Sequence, residues 1–173
     1  MGNRFIIREA KPSEFNEIGD LLVNVYSQLQ GFPSPEEQPA YYERLQNVGK
    51  FIELPKTKLL VAITPEGTIG GAVVYFGDMS HYGSGGTATM ETNASGFRLL
   101  AVDPALRGQG LGKRLTETCI QLSRTENQDQ LIIHSTKAMG LAWKMYENMG
   151  FVRAQDLDFK QGELDVFGFR MAL

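Results

Sequence analysis

Apolar positions change period several times along the chain, and each change marks an element. Arg4 to Arg8 alternates and carries β-branched Ile6 and Ile7, as a short strand does. Pro12 then opens a helix in which Phe15, Ile18, Leu22, Val25 and Leu29 recur at spacings of three and four, with Glu14, Glu17 and Asp20 turned to water. Gly31-Phe32-Pro33-Ser34-Pro35 breaks that period, and a weaker helix is predicted from about Glu36 to Val48, with Tyr41, Tyr42 and Leu45 inward. Leu59 to Ile63, a Pro65-Glu66-Gly67 turn and Ile69 to Phe76 read as an antiparallel hairpin with a bulge at Gly70-Gly71. Met79 to Gly96 holds no apolar period and reads as a long loop.

The second half alternates strand and helix. An apolar run ends at Asp103-Pro104, where proline restricts the residue before it and cannot donate to a sheet. Leu111, Leu115, Cys119 and Leu122 fall on one helical face, and Gln130 to His134 is the next strand. Ser135-Thr136 is placed to cap a further helix, with Ala138, Leu141, Ala142, Met145 and Met149 as its buried stripe and Gly150 as its end. Phe151 to Phe159 and Leu164 to Ala172 supply the last strands.

Composition narrows what this array does. The chain has 173 residues, no internal repeat and one set of elements, so a single domain spanning 1–173 is expected. A net charge of −3 argues against a nucleic-acid surface, which needs clustered cations to displace counterions. One cysteine, Cys119, forms no internal disulfide and no cysteine-based metal site, so no metal is expected, and Cys119 reads as a core thiol. No stretch approaches a membrane span, the start Met1 to Ile6 has no apolar signal core, and Ile6 stands where myristoylation wants Ser or Thr. A cytoplasmic protein without membrane or nucleic-acid partners is expected.

Positive charge gathers at one place, Arg107-Gly108-Gln109-Gly110-Leu111-Gly112-Lys113-Arg114, between the strand end and the helix start. Glycines lack Cβ atoms, so main-chain amides there approach an anion closely, and the helix adds free N–H groups and the positive end of its dipole. The spacing differs from the dinucleotide fingerprint Gly-x-Gly-x-x-Gly. It also lacks the early glycine and trailing Ser or Thr of the nucleoside triphosphate loop. Arg-Gly-x-Gly-x-Gly after a Leu-x-Val-x-Pro strand end instead resembles the acetyl-coenzyme A signature of the GNAT N-acetyltransferase superfamily. Ala142-Trp143-Lys144-Met145-Tyr146-Glu147-Asn148-Met149-Gly150-Phe151 resembles a second segment of the same family, Ala-x-x-Leu-Tyr-x-x-x-Gly-Phe, with Met145 in place of leucine. The likeness is close from Phe97 to Phe159 and elsewhere lies in the order of elements.

That resemblance implies an α/β (α+β) domain. Its mixed, mostly antiparallel sheet is flanked by about four helices and splayed where the signature strand meets the strand after it, with acetyl-coenzyme A as cosubstrate in the gap. It places the Leu100 backbone amide at the thioester oxygen and Ala101 and Val102 along pantetheine. Arg107 and the amides of Gly108, Gln109, Gly110, Leu111, Gly112 and Lys113 fall at the pyrophosphate; the side chains of Gln109 and Lys113 are open between that role and solvent. Tyr146 becomes the general acid for the departing thiolate. Phe32, Tyr41 and Tyr42, between the first two strands, border the acceptor site as alternatives to core packing.

Two positions depart from the family pattern. A glutamate that serves as base in part of the family is Gly96 here, and a common asparagine is Met139. Glu91, the nearest upstream carboxylate, is the base expected to act through a water chain, with simple solvation as its alternative. Asp156, Asp158, Glu163 and Asp165 gather near the terminal hairpin, either to draw a cationic amine or to face solvent. The expected reaction is acetyl transfer from acetyl-coenzyme A to a primary amine on a small molecule or peptide. A non-catalytic acyl-coenzyme A sensor is the alternative, and a homodimer is left open.

Overall fold

Alternation of period two drives the centre of the sheet. In β2 (Thr57–Ile63), Leu59 and Val61 enter one core layer and Leu60 and Ala62 the other; β3 (Ile69–Phe76) divides likewise, with Val74 and Phe76 on one side and Val73 and Tyr75 on the other. The computed structural model describes residues 4–173; residues 1–3, part of the Met1 to Ile6 start on which the expectation about a signal core rests, lie outside the described residues. The remaining strands are β1 (Ile6–Glu9), β4 (Ala94–Val102), β5 (Gln130–Ser135), β6 (Val152–Arg153), β7 (Phe159–Gln161) and β8 (Leu164–Ala172). Their order is β1-β2-β3-β4-β5-β8-β6, with β7 on β8, and every pairing is antiparallel except β4 with β5.

Four α-helices cover the two faces among the described residues. The stripes of α1 (Phe15–Ser27) and α2 (Pro39–Gln46) join the layer of Val61 and Phe76, and those of α3 (Leu111–Thr125) and α4 (Gly140–Met149) join the layer of Leu60 and Tyr75. Cys119 is fully buried in the second layer, where burial raises its thiol pKa, in keeping with a core thiol.

Several elements differ from the pattern reading. The second helix is shorter, at Pro39–Gln46, because Pro39 fixes its first turn and the chain tightens into a 3₁₀ segment over Val48–Glu53. The loop ends earlier than Gly96: Ala94 to Gly96 belong to β4 and pair with Gln130 to Ile132 of β5. Phe151 to Phe159 is not one strand but β6, a single turn over Gln155–Leu157 and the start of β7. The stripe assigned to α4 also shifts, since Leu141 is 84% exposed and Tyr146 is the helix's buried residue. The bulge in β3 is present: Ala62 pairs with Gly71 and Ile63 with Ile69, leaving Gly70 as the extra residue.

Candidate active site

β4 and β5 part after three residues. Their parallel register runs from Ala94 with Gln130 to Gly96 with Ile132 and then stops, although both strands continue. β4 is bulged just beyond the parting: Ala72 pairs with Ala101 and Val74 with Arg98, so Leu99 and Leu100 together face Val73. Leu99 takes φ 61, a left-handed conformation that costs a residue with a Cβ roughly 1–3 kcal/mol. The bulge re-aims the backbone at the parting, and the Tyr26 hydroxyl holds it by donating to the Leu100 carbonyl at 2.9 Å. Burial raises the pKa of that phenol, so it stays protonated as a donor.

A cavity of about 740 Å³ fills the gap. One end is the glycine turn. Gly108 and Gly110 sit at φ 81 and 82, a conformation only glycine adopts cheaply, and a Cβ at either would point into open space, so their main chain is bare to an approaching anion. No side chain caps the start of α3 at Gly110, which leaves its first amides to a ligand. Arg107 and Lys113 line this end, and Lys113 has only a loose 3.9 Å pair with Glu117. Gln109 is exposed and does not line the cavity.

The middle holds two polar groups without partners. Ser135 Oγ and Thr136 Oγ1 are buried, line the cavity and make no hydrogen bond among the described residues. The expected cap is not made: α4 starts at Gly140, after a turn over Lys137–Met139 that Thr136 precedes without a side-chain bond. Two orphaned hydroxyls in a cavity fit a ligand with amide groups, since buried polar groups are otherwise nearly always paired. Tyr146 lines the same stretch, wedged edge-on between Phe97 at 5.9 Å and Phe151 at 5.6 Å. Burial raises its pKa strongly, so its phenol stays a proton donor through the neutral range.

The other end is walled by side chains from separated segments. Phe32 and Tyr41 line it, their rings tilted against each other with centres 5.7 Å apart, and burial pushes the Tyr41 phenol up to about 12. Tyr42 does not; it packs edge-on to Tyr41 and donates to the Pro33 carbonyl at 2.7 Å. Glu91 is not brought to the cavity either. Arg170 holds its carboxylate along with that of Asp156, on the flank of β8. Nor do the hairpin carboxylates face it: Asp158 is paired with Arg153 at 2.8 Å and Asp165 with Lys160 at 3.7 Å.

What sequence reasoning missed at this end is a partner for His134, the distant Tyr82. Tyr82 Oη lies 3.0 Å from His134 Nδ1, and His134 Nε2 lies 2.9 Å from the Leu157 carbonyl. A carbonyl only accepts, so Nε2 carries the hydrogen and Nδ1 accepts from Tyr82. Burial lowers the His134 pKa, and nearby Arg98 adds to this against the Leu157 bond and Asp158. Gly96 explains the arrangement. A Cβ there would lie 2.8 Å from Tyr82 Cε1 and 2.8 Å from the Ile132 carbonyl, so the Tyr82 ring occupies the room that a side chain at 96 would need. The missing carboxylate was legible, whereas the ring that fills its place comes from 14 residues upstream in a loop without period.

A split sheet, a bulged strand beside the split and a glycine turn at one end of the resulting cavity together form a cleft with a bare main-chain cradle. Residues 36–173 match the model of the acetyltransferase (GNAT) domain, and the chain belongs to that family. Over 55 residues it is 34% identical to N-alpha-acetyltransferase 30 of Saccharomyces cerevisiae, a stretch covering 32% of this chain and 31% of that protein. The chain thus matches less than a third of that curated relative's length. Two solved structures share the fold along nearly the whole chain. A GNAT-family acetyltransferase from Staphylococcus aureus Mu50 superposes with TM-score 0.74 at 18% identity, covering 97% of this chain and 98% of that one. The YncA protein of Salmonella typhimurium, solved with its cofactor acetyl-CoA, gives 0.64 at 18% identity, covering 98% and 94%. Among the described residues no helix is long and apolar enough to cross a membrane.

Proposed function

We propose that this protein transfers an acetyl group from acetyl-coenzyme A to a primary amine by direct attack on the thioester. The observation that carries the reading is the parting of β4 from β5 at a bulge that opens onto one cavity, with an anion cradle at one end and a proton-accepting dyad at the other. Arg107 and the amides from Gly108 to Lys113 hold the pyrophosphate. Ser135 and Thr136 offer hydroxyls to the amide chain of pantetheine and make good the polar contact that Met139 lacks. The Leu100 amide donates to the oxygen on which negative charge develops, and Tyr146 protonates the leaving sulfur.

The amine must lose a proton as it attacks. Tyr82 Oη accepts it while passing its own proton to His134 Nδ1, and the Leu157 carbonyl steadies the ring through Nε2. This relay takes the place of the expected base at Glu91, which Arg170 holds elsewhere. It also weakens the sensor alternative, since the absence of a carboxylate at Gly96 no longer leaves the cavity without a base. Release of free coenzyme A over a panel of amines tests the reading: acceptor-dependent release is expected. Tight coenzyme A binding with no release for any acceptor would identify a sensor instead.

A further inference from the structure

The acceptor end of the cavity has an unusual charge balance. Its walls are aromatic and aliphatic, with Phe32, Tyr41, Tyr82, Phe159 and Leu164 among them, and among the described residues no Asp or Glu lines any part of the cavity. One cation stands there, Arg98. Its guanidinium donates to the Tyr82 carbonyl at 2.9 Å and lies 5.7 Å from the Tyr82 ring centre, and no carboxylate pairs with it among the described residues. A half-buried arginine with donors to spare, in an apolar pocket, is an incomplete ion pair. The cosubstrate does not complete it, since its phosphates belong to the cradle at the far end and its pantetheine arm is neutral.

We infer that the acceptor is a small primary amine that itself carries a carboxylate and an apolar or aromatic side chain, with Arg98 as the residue that anchors the carboxylate. This rests on the reaction proposed above and names its substrate class. A guanidinium pairs bidentately with a carboxylate, which fixes the amine's direction as well as its affinity. The aromatic walls take the side chain, and the cavity, shared with the pantetheine arm, leaves room for a molecule of amino-acid size. The absence of carboxylates has a second effect. Nothing in the pocket favours an ammonium ion, and Arg98 disfavours it, so the bound amine gives up its proton to the Tyr82–His134 relay more readily than it would in water. Polyamines, with two or more positive charges and no anion, meet the wrong field.

The test compares acceptors that differ only in the carboxylate. With wild-type protein, kcat/KM for phenylalanine or methionine is expected to exceed that for phenethylamine and phenylalaninamide by roughly 10- to 100-fold, with spermidine poorer still. Arg98→Gln is expected to bring the acid-to-amine ratio near one, and Arg98→Lys to leave an intermediate ratio, with unchanged coenzyme A affinity reporting an intact fold. A ratio at or below one in wild type, or a preference for spermidine or for a peptide N-terminus, overturns the inference while leaving amine acetylation standing. No turnover with any acceptor sinks the acetyl-transfer reading instead. Calorimetric titration of phenylalanine and phenethylamine into coenzyme A-loaded protein then judges Arg98 by itself, and equal affinities would overturn the inference.

Discussion

The two ends of the cavity present different kinds of group to a ligand. At the cradle the groups facing an anion are main-chain amides from consecutive residues, Gly108 to Lys113, set by positive φ at two glycines and by the uncapped start of α3. At the acceptor end they are side chains from separated segments: Phe32 before α2, Tyr41 in α2, Tyr82 after β3, Arg98 in β4, His134 in β5 and Phe159 in β7. Backbone recognition tolerates change in most of its side chains, because the donors survive substitution. Side-chain recognition has no such reserve, and under the proposed reaction each position there sets acceptor or chemistry directly. Tyr146 sits between the two and belongs to neither, so it breaks the comparison most sharply.

Tyr146→Phe keeps the ring between Phe97 and Phe151 and deletes the proton donor. Turnover is expected to fall by about 10²- to 10³-fold with coenzyme A affinity nearly unchanged. Steady-state kinetics beside calorimetry checks this, and equal loss of both would assign the residue to packing.

His134→Gln tests the side-chain end. Under the proposed reaction the neutral ring is the base in the wild type, and burial and Arg98 hold its pKa below the usual 6.5, so it is ready to accept a proton throughout the neutral range. The sign follows: activity falls on the acid side as the ring protonates. In the variant that limb moves to the acceptor amine's own ionisation. A loss of about 10- to 100-fold near neutrality is expected, with most of it recovered at alkaline pH where the free amine predominates. A pH–rate profile of unchanged shape would remove the dyad from the mechanism. Glu91→Gln serves as the contrast, since its carboxylate is held by Arg170 and its loss should leave the profile's shape intact.

The same contrast decides how much is readable in the sequence. The hairpin with its bulge near Gly70, the glycine turn before α3 and the existence of a helix carrying Tyr146 were legible in neighbouring residues, whereas the mixed sheet was implied by the resemblance. The parting of the strands was legible only through family resemblance, since nothing local in Ala94 to Val102 says where β5 leaves it. Tyr82 and Arg98 were not legible. Tyr82 lies in a loop without period and Arg98 in an apolar strand where one charge passes for a surface residue. Their roles come from His134, which meets Tyr82 across 52 residues of sequence, and from the absence of carboxylates among the described residues lining the cavity, neither of which a local stretch shows. The hydroxyls of Ser135 and Thr136 were misassigned for a related reason. Their position before a helix fits a cap, and only the late start of α4 at Gly140 leaves them free.

Arg107→Ala probes the backbone end at its most exposed side chain. Removing one charge-assisted contact while the amides stay in place is expected to cost about 1.5–2 kcal/mol of coenzyme A binding, on the order of a tenfold loss or somewhat more. The remaining affinity should depend less steeply on salt, since one cation no longer takes part. Calorimetry across a salt series measures both. Unchanged affinity in a folded variant would move the pyrophosphate elsewhere.

The smallest effect distinguishes a ligand-facing hydroxyl from a structural one by sign. Ser135 is 2% exposed and its Oγ has no partner among the described residues, so folding desolvates the hydroxyl without compensation. Ser135→Ala removes that burden, and the melting temperature of the free protein is expected to hold or rise slightly. A coenzyme A-bound protein that uses the hydroxyl loses one neutral hydrogen bond, about 0.5–1.5 kcal/mol, so affinity is expected to fall by roughly 2- to 10-fold. The two changes therefore run in opposite directions, which a packing role cannot produce, because a side chain needed only for packing lowers stability when cut back. Thermal unfolding with and without coenzyme A measures both in one experiment: the wild-type protein should show the larger ligand-induced shift and the alanine variant the equal or higher starting point. A variant that melts lower and binds as tightly as before would return Ser135 to the scaffold and leave the pantetheine arm to backbone contacts alone.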